Sequence, residues 1–415
     1  MGDNSAKALI AAAVEYGWPV FEVARLSYDF SYNPANPRRT PVNRLAHRRI
    51  LSDHRHRLVT TPNHDTLYSS AILDLSAGPV TLNVPAFGRR YYSLAFMDAY
   101  TNAFAYVGSR TAGGEGGCYL VLGPDWHGKV PAPAAIRAPG NHASLLARIR
   151  VEDSSHYPEV HRLQDGLHLS GPEVSRPDLI VPRQREPENF IAIVNQVLRS
   201  DPPPPTDAPL LNRLAPIGMG EAHLTPQQKT WWRLHFAASR EALIQAGKHL
   251  GPSVHGWQYP PASVGDFGTD YRTRAIIAIQ GLAANVSAES VYALGLADQQ
   301  GGEFDGRYRY RFTLPPGTPP ARAFWSLSLY EGLPDGGLYF VDNPLHRYAL
   351  GSATDGLKRG EGGALDILIG KDRPSDIANW LPAPSGPFAL MMRAYLPGDE
   401  MRDGRFRYPG IERLD

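Results

Sequence analysis

The segment TLYSSAILDLSAGPVTLNVPAFGRRYYSLAFM, residues 66–97, decides the fold. It sets short runs of apolar, β-branched and aromatic residues between the turn signals Gly78-Pro79 and Phe87-Gly88. Runs of this length and composition predict strands rather than helices. The same pattern continues downstream, and the predicted strands of this part are 66–73, 79–84, 90–97, 102–107, 118–122 and 145–151. The N-terminal part of the chain is therefore predicted to contain a β-rich domain.

Side-chain alternation in the strand 90–97 assigns its two faces, because successive side chains of a strand point to opposite sides of the sheet. The two faces are Tyr92, Leu94 and Phe96 on one side and Tyr91, Ser93, Ala95 and Met97 on the other. One of the two tyrosines must therefore face inward, where its hydroxyl needs a hydrogen-bond partner.

Upstream of this domain, residues 5–26 repeat apolar side chains at the helical period and predict a helix. Pro19 is expected to bend or break it, because proline removes a backbone donor and clashes with the preceding turn. Residues 30–62 are polar and rich in proline and arginine, which predicts little regular structure. The stretch 38–57 is locally rich in Arg and His, which favours an anionic group on the substrate more than the near-zero net charge of the chain does.

The middle of the chain is helical and rich in proline. The run PPPP at 202–205 predicts a rigid, extended connector. Thr225-Pro226 predicts a helix start, with an N-cap followed by proline at the first helical position. The C-terminal part again predicts strands, at 291–296, 307–314, 322–330, 337–341, 365–369 and 387–395.

This order of blocks predicts a mainly β fold with helical insertions (α+β), in which two antiparallel β-sandwich or jelly-roll-like domains are bridged by a helical, Pro-rich middle segment. The predicted divisions are an N-terminal helix and basic loop at 1–60, a β-rich domain at 61–170, a connector at 171–288 and a second β-rich domain at 289–415. The regular βαβ spacing of a doubly wound sheet is absent from the sequence.

Charge and composition exclude several classes of function. The 42 basic and 41 acidic residues give a formal net charge of +1, which argues against a large nucleic-acid footprint. The single cysteine, Cys118, excludes an intrachain disulfide and a cysteine-based metal site. The sequence contains no run of 18 apolar residues, so no membrane-spanning helix is predicted. The start of the chain lacks the basic region of a secretion signal, so a cytoplasmic location is expected.

Common catalytic motifs do not match the sequence. The glycine-rich GGEGG at 113–117 lacks the strand-to-helix context and the Lys-Ser/Thr pair of a P-loop, so a hairpin or loop is expected there. GxSxG and HExxH are absent, which removes the standard serine-hydrolase elbow and one zinc-protease signature.

The stretch TTPNHDTLYSS, residues 60–70, is the densest polar run at the edge of a predicted strand. Asn63 or Asp65 can cap a turn through side-chain to main-chain hydrogen bonds. Asp65, His64 and Tyr68 are also candidates for an acid/base set, because a carboxylate can orient an imidazole or a phenol. Turn formation and catalysis both remain as explanations of this run.

The HxH pair His54 and His56 supports an alternative, a metal site completed by His64, because alternate residues of a strand present both rings on one face. Arginines flank this pair on both sides, and cations repel a metal ion. A basic, anion-binding loop is the competing interpretation of the same residues.

Several longer strings resemble one bacterial family. They are AAAVEYGWPVFEVAR at 11–25, TPVNRLAH at 40–47, the segments 61–85 and 88–111, VLGPDW at 121–126, GDFGTDYRTRA at 265–275, FWSLSLYE at 324–331, FVDNPLHRYALG at 340–351 and NWLPAPSGPFALMMRAYLP at 379–397. Over about residues 8–413 the chain resembles the proteins that pair domain of unknown function 1254, at the N-terminus, with domain of unknown function 1214, at the C-terminus. The resemblance implies two β-rich domains with helical insertions and the export of many relatives, but no particular reaction.

The resemblance also implies a set of signature positions. They are Asn63, Asp65, Thr66, Tyr68, Tyr92, Asp98, Asn102, Arg110, Tyr271, Arg274, Trp325, Tyr330, Asn343, Arg347, Asn379 and Trp380. His64 falls at a position that varies among such proteins, and His54 and His56 fall where the pattern has no general histidine.

The expected function is cofactor-independent acid/base catalysis (a lyase, isomerase or hydrolase) on a small, partly apolar and anionic organic molecule in a cleft between the two β-rich domains. Asp65 or His64 is the expected base, and Tyr68 or Tyr92 the expected proton donor. The expected substrate contacts are Asn63, Asp98, Asn102, Arg110, Tyr271, Trp325, Tyr330, Asn343, Arg347 and Trp380. The alternatives are a metal-dependent enzyme that uses His54, His56 and His64, a non-enzymatic protein that binds a small molecule or glycan, and a structural homo-oligomer.

Overall fold

The computed structural model describes residues 2–57, 59–130, 134–176, 178–247, 250–332 and 337–415. Helices and strands are numbered in chain order. The helices are α1 (Asp3–Ser27), α2 (Tyr157–Gly166), α3 (Pro187–Ser200), α4 (Ala208–Leu214), α5 (Pro226–Ala246), α6 (Tyr271–Gln280) and α7 (Asp399–Arg402). None of the described helices is both long enough and apolar enough to cross a membrane.

The first β-rich domain holds nine strands. They are β1 (Ala46–His47), β2 (Thr66–Asp74), β3 (Val80–Val84), β4 (Tyr92–Asp98), β5 (Ala103–Gly108), β6 (Gly117–Leu122), β7 (Ala134–Arg137), β8 (His142–Arg150) and β9 (His168–Ser170). A five-stranded antiparallel sheet has the order β1-β2-β8-β4-β5, and a second sheet has the order β7-β6-β3-β9, in which only β6 and β7 run parallel. Leu67 and Leu94 from the first sheet share one core with Leu82 and Val121 from the second. The predicted sandwich is confirmed here.

The second β-rich domain repeats this arrangement with eleven strands. They are β10 (Ser253–Val254), β11 (Trp257–Gln258), β12 (Ser290–Gly295), β13 (Tyr310–Leu314), β14 (Ala321–Gly332), β15 (Leu338–Phe340), β16 (Ala349–Gly351), β17 (Leu365–Gly370), β18 (Trp380–Pro382), β19 (Ala389–Pro397) and β20 (Glu412–Arg413). The larger sheet has the order β10-β11-β12-β19-β14-β15, with β16 also paired to β14, and the smaller sheet has the order β18-β17-β13-β20. Leu327 and Met392 pack against Phe312 and Ile367 across the two sheets.

The helices form a third layer, in which the N-terminal helix joins those of the middle segment. α1 packs against α3, α5 and α6 around Val14, Phe21, Phe190 and Trp232. The mixed α+β class is therefore confirmed. The N-terminal helix packs with the helices of the connector and not with the basic loop that follows it. The N-cap predicted at Thr225 is present, and the structure extends it to a capping box: Thr225 accepts from the main-chain N–H of Gln228, and the Gln228 side chain accepts from the main-chain N–H of Thr225.

Pro19 was predicted to bend or break the first helix, and the break is wrong. α1 continues without interruption from Asp3 to Ser27, with Pro19 inside it. The residues around the proline, Trp18, Val20 and Phe21, are at most 2% exposed. Their packing against neighbouring helices stabilises the helical backbone on both sides of the proline, which outweighs the loss of one internal hydrogen bond.

Candidate functional site

A cavity of about 1320 Å³ lies where the two large sheets and the helical layer meet. Strands β2, β4, β5 and β8 of the first domain, β12 and β19 of the second, the end of α6 and the basic segment 38–57 form its walls. Its apolar lining includes Ile72, Met97, Leu146, Ile277, Leu294 and Met391. Its size exceeds that of a common small-molecule pocket, so it has room for an organic molecule of substantial length.

Strand alternation explains which side chains reach this cavity. On β8, Ser144, Leu146 and Arg148 line it, and on β19, Met391, Arg393 and Tyr395 do so. The faces assigned to the strand 90–97 are confirmed. Ala95 and Met97 line the cavity, whereas Tyr92, Leu94 and Phe96 face the core of the sandwich. The large sheet of the first domain thus presents one face to its own core and the other to the cavity.

The lining of this cavity carries far more positive than negative charge. Among the described residues it contains seven arginines, Arg38, Arg44, Arg48, Arg55, Arg57, Arg148 and Arg393, and a single carboxylate, that of Asp29. Arg55 pairs with Asp53 and Arg57 with Glu331, each at 2.5 Å. The other five form no ion pair with any carboxylate in the described part of the chain. The basic loop predicted at 38–57 therefore faces the cavity, together with two arginines that come from the sheets.

Those two sheet arginines, Arg148 and Arg393, are buried, with exposures of 7% and 3%. Arg148 donates to Asn285 Oδ1 at 3.0 Å and to the carbonyl of Ala283 at 2.7 Å. Arg393 donates to Ser328 Oγ at 3.0 Å and to the carbonyl of Thr61 at 2.8 Å. All four acceptors are neutral, so they orient the guanidinium groups without cancelling their charge.

The polar part of the lining also includes four tyrosines, Tyr68, Tyr106, Tyr292 and Tyr395. Asn63 connects two of them, because its Nδ2 donates to the Tyr395 hydroxyl at 2.9 Å and its main-chain N–H donates to the Tyr68 hydroxyl at 3.3 Å. Burial raises the pKa of Tyr395 well above its ordinary value, and it raises the pKa of Tyr106 to about 12. Both phenols are therefore neutral hydrogen-bond donors at neutral pH.

The expected bases, His64 and Asp65, lie in a different cavity of about 240 Å³ with Arg150, Glu152 and Trp325. Asp65 Oδ2 accepts from Ser326 Oγ at 2.6 Å. His64 Nδ1 lies 2.6 Å from the carbonyl of Ser52, which places the ring proton on Nδ1. Burial lowers the pKa of His64, so its Nε2 is an unprotonated base at neutral pH.

The turn before β2 separates the predicted acid/base set. Asn63 Oδ1 accepts from the main-chain N–H groups of Asp65 and Thr66 at 3.3 and 3.2 Å, as predicted for a turn at this point. Asn63 and Tyr68 then face the large cavity, and His64 and Asp65 face the small one. Tyr92 lines neither: it stacks on Phe87 and donates its hydroxyl to the carbonyl of Gly113 at 2.9 Å.

The other side chains of the first β-rich domain and the connector that were expected to contact the substrate lie outside both cavities. Asp98 accepts from the main-chain N–H groups of Tyr100 and Asn102, and burial raises its pKa to about 6. Arg110 pairs with Glu289 at 2.7 Å, and Tyr271 donates to Asp207 at 2.9 Å.

The side chains of the second β-rich domain that were expected to contact the substrate also lie outside the large cavity. Trp325 lines the small cavity, and Tyr330 donates to the carbonyl of Pro62 at 2.6 Å. Asn343 accepts from the main-chain N–H of Arg347, whose guanidinium donates to carbonyl oxygens, including that of Trp380. Of the expected catalytic and substrate-contact residues, Asn63 and Tyr68 line the large cavity, and His56 of the alternative metal set lines it too.

The histidines proposed as metal ligands are not assembled in the described structure. His54 Nδ1 lies 2.7 Å from the Tyr348 hydroxyl, His56 Nδ1 accepts from the main-chain N–H of Asp53, and His64 bonds to Ser52. Ligand atoms of His54 instead lie within 4.8 Å of those of Asp342 and His346, both of which are exposed.

Sequence reasoning missed Arg148, Arg393 and Tyr395, three buried polar residues of the large cavity. One signal was available for the arginines. Both lie among apolar residues of a predicted strand, Arg148 in LLARIRV (145–151), which also contains Arg150, and Arg393 in ALMMRAYLP (389–397). An arginine inside such a strand is rarely buried without a reason, because its charge must be compensated.

Comparisons with known proteins agree with this architecture. Residues 42–171 match the family described as protein of unknown function (DUF1254), and residues 289–399 match the family described as protein of unknown function (DUF1214). The crystal structure of the VPA0106 protein from Vibrio parahaemolyticus is similar, with a TM-score of 0.71 and 24% identity over 99% of this chain and 100% of that one. An uncharacterized protein from Burkholderia cenocepacia has a TM-score of 0.51 and 10% identity over 100% of this chain and 94% of that one. No curated protein matches the chain.

Proposed function

We propose, for a chain that belongs to the family pairing DUF1254 with DUF1214, that the large cavity between its two β-rich domains binds a small, partly apolar organic anion. The observation that carries the proposal is the pair of buried arginines, Arg148 and Arg393, which line the cavity without a carboxylate partner among the described residues. A buried guanidinium without a counter-charge is costly, and a bound anion would compensate it.

The remainder of the lining supports the same class of ligand. Aliphatic side chains such as Ile72, Leu294 and Met391 offer contacts to an apolar body, while the tyrosine hydroxyls and the arginines offer donors to an anionic group. Guanidinium groups suit carboxylates and phosphates, because they present several donors in a planar fork.

Thermal unfolding and calorimetry with defined probes test this proposal. Octanoate, suberate and octyl phosphate represent anions with an apolar body, and octanamide is the neutral control. We expect at least one anion to bind saturably and to raise the unfolding temperature, because a ligand that binds only the folded state stabilises it. Equal binding of octanamide, or no binding of any anion, would overturn the proposal.

Acid/base catalysis on this anion is a second candidate, favoured by the position of Tyr395. Its neutral phenol and Arg393 line the same cavity, so the phenol can supply a proton while the guanidinium stabilises a developing oxyanion. His64 and Asp65 remain the proposed bases for chemistry in the small cavity, since both line it.

A further inference from the structure

We infer that the ligand of the large cavity is an organic dianion, with two negative charges carried by one apolar body. This inference rests on the proposed function and names the class of its ligand. It depends on the number of buried positive charges in the lining and on the strands that supply them.

Two of these charges come from opposite domains. Arg148 lies on β8 of the first domain and Arg393 on β19 of the second, 245 positions apart in the chain. Arg148 Cζ lies 5.9 Å from the centre of the Tyr68 ring, and Asn63 donates to the hydroxyls of both Tyr68 and Tyr395. Arg393 lies two residues before Tyr395 on the same face of β19, so the two arginines line one region of the cavity. A ligand that compensates both would therefore contact both domains.

The protein itself supplies little compensation for these charges. Asp65 acts on Arg393 electrostatically, but its carboxylate accepts from Ser326 and lines the other cavity, and it forms no ion pair with Arg393. Tyr395 is neutral, because burial raises its pKa well above the ordinary value. Asp29, the single carboxylate among the described lining residues, is bonded to the Asn33 side chain at 2.9 Å.

A third arginine adds to this excess. Arg48 lines the same cavity, and its Nη2 is buried without a hydrogen-bond partner among the described residues. Arg38 and Arg44 carry further positive charge toward the more exposed part of the lining. A monoanion would leave at least one of the buried guanidinium groups uncompensated, whereas a dianion can neutralise both Arg148 and Arg393.

The test compares three probes with similar chains. Octanoate carries one negative charge, suberate carries one at each end, and octyl phosphate carries close to two at one end at pH 8. We expect the better of the two dianions to bind at least ~10-fold more tightly than octanoate by calorimetry, which corresponds to one additional charge-assisted contact. Tighter binding of suberate than of octyl phosphate would indicate that the site binds two separated charges, and the reverse order would indicate that it binds two charges on one group.

Variants assign this preference to the two buried arginines. Arg148→Gln and Arg393→Gln should each reduce the preference for the dianion to less than about threefold, because one charge of the ligand then loses its partner. Arg393→Lys retains the charge and should retain most of the preference, and far-UV circular dichroism verifies that each variant is folded. Arg373→Gln, which removes an exposed arginine outside both cavities, is the matched control.

Two results would overturn the inference while leaving the proposed function intact. One is octanoate binding as tightly as both dianions. The other is a dianion preference that persists in Arg148→Gln and Arg393→Gln. If none of the three anions binds, the proposed function itself fails.

Discussion

Single residues account for the character of the large cavity. Arg148 and Arg393, one from a strand of each domain, place two buried positive charges among the aliphatic and tyrosine side chains that line it. Asn63 has a double role, because its Oδ1 forms the turn before β2 while its Nδ2 donates to Tyr395. The same side chain thus shapes the backbone and orients a phenol.

Removing the Tyr395 hydroxyl tests its contribution. Tyr395→Phe should weaken binding of the preferred anion about 5-fold, because one hydrogen bond to a charged group is lost. Asn63 Nδ2 also loses its acceptor, so the free energy of unfolding should fall by about 1 kcal/mol. Calorimetry and urea unfolding measure the two effects. Tyr308→Phe, outside both cavities, is the control, and an unchanged affinity in Tyr395→Phe would exclude the phenol from the site.

His142 predicts a pH dependence of stability away from the cavity. Its Nδ1 lies 2.5 Å from Asp201, and its Nε2 lies 3.3 Å from Asp74, which is fully buried. Burial alone would lower the pKa of His142, but the two carboxylates raise it to about 9. Since the folded pKa exceeds the ordinary 6.5, the stabilisation is complete below pH 6.5 and is lost as the pH rises through 9.

His142→Gln should therefore lower the free energy of unfolding by up to about 3 kcal/mol at pH 6, with a smaller difference above pH 9. Urea unfolding between pH 6 and pH 10 measures this change, with His168→Gln at an exposed position as the control. A difference between wild type and His142→Gln that stays constant across this range would contradict the assignment.

At the scale of elements, the helical layer depends on a close contact between α1 and α3. A Cβ added at Gly17 of α1 would lie 2.9 Å from Val194 Cγ2 and 3.1 Å from Phe190 Cζ, both on α3. These are buried core atoms with little freedom to move. α1 and α3 therefore approach each other at a distance that only glycine permits at this position.

Gly17→Val should destabilise the protein by about 1–3 kcal/mol, because the added side chain overpacks the contact between α1 and α3. Ala11→Val adds the same branched side chain to an exposed position of the same helix and should change stability by less than about 0.5 kcal/mol. Thermal unfolding of the two variants provides the measurement. A destabilisation by Gly17→Val no larger than that by Ala11→Val would show that the contact between α1 and α3 tolerates the added side chain.

Local elements were predictable from sequence, whereas most of the site was not. Alternation predicted the two faces of Tyr91–Met97, and Thr225-Pro226 predicted the start of α5 as an N-cap followed by proline, because both signals depend on neighbours in the chain. Asp65, His64 and Tyr68 are adjacent in sequence, but the turn at Asn63 directs them to different cavities. The approach of Arg148 and Arg393 to Tyr395 depends on packing between domains, which no local pattern records.

At the scale of the whole molecule, Glu289 connects the two domains. It accepts from the Tyr91 hydroxyl and from Arg110 Nε, both at 2.7 Å, and its side chain is 2% exposed. Both donors belong to the first domain, and Glu289 lies directly before β12 of the second. The carboxylate thus holds together the two sheets that form the walls of the large cavity.

Glu289→Gln should lower the free energy of unfolding by about 2 kcal/mol, because Arg110 loses a buried charged partner. The matched control is Glu412→Gln, whose exposed pair with Arg311 at 3.6 Å should contribute at most about 1 kcal/mol. Urea unfolding compares the two variants. A smaller effect for Glu289→Gln than for the control would show that this contact does not stabilise the association of the domains.

The division of the two buried arginines between the domains also has a genetic consequence. Arg148 and Arg393 face one cavity within a single chain, so the proposed binding of a dianion requires both arginines in the same molecule. Co-expressed copies that carry Arg148→Gln in one and Arg393→Gln in the other would not complement each other, since every cavity would lack one arginine. Selection on this site therefore acts on the two halves of the gene jointly.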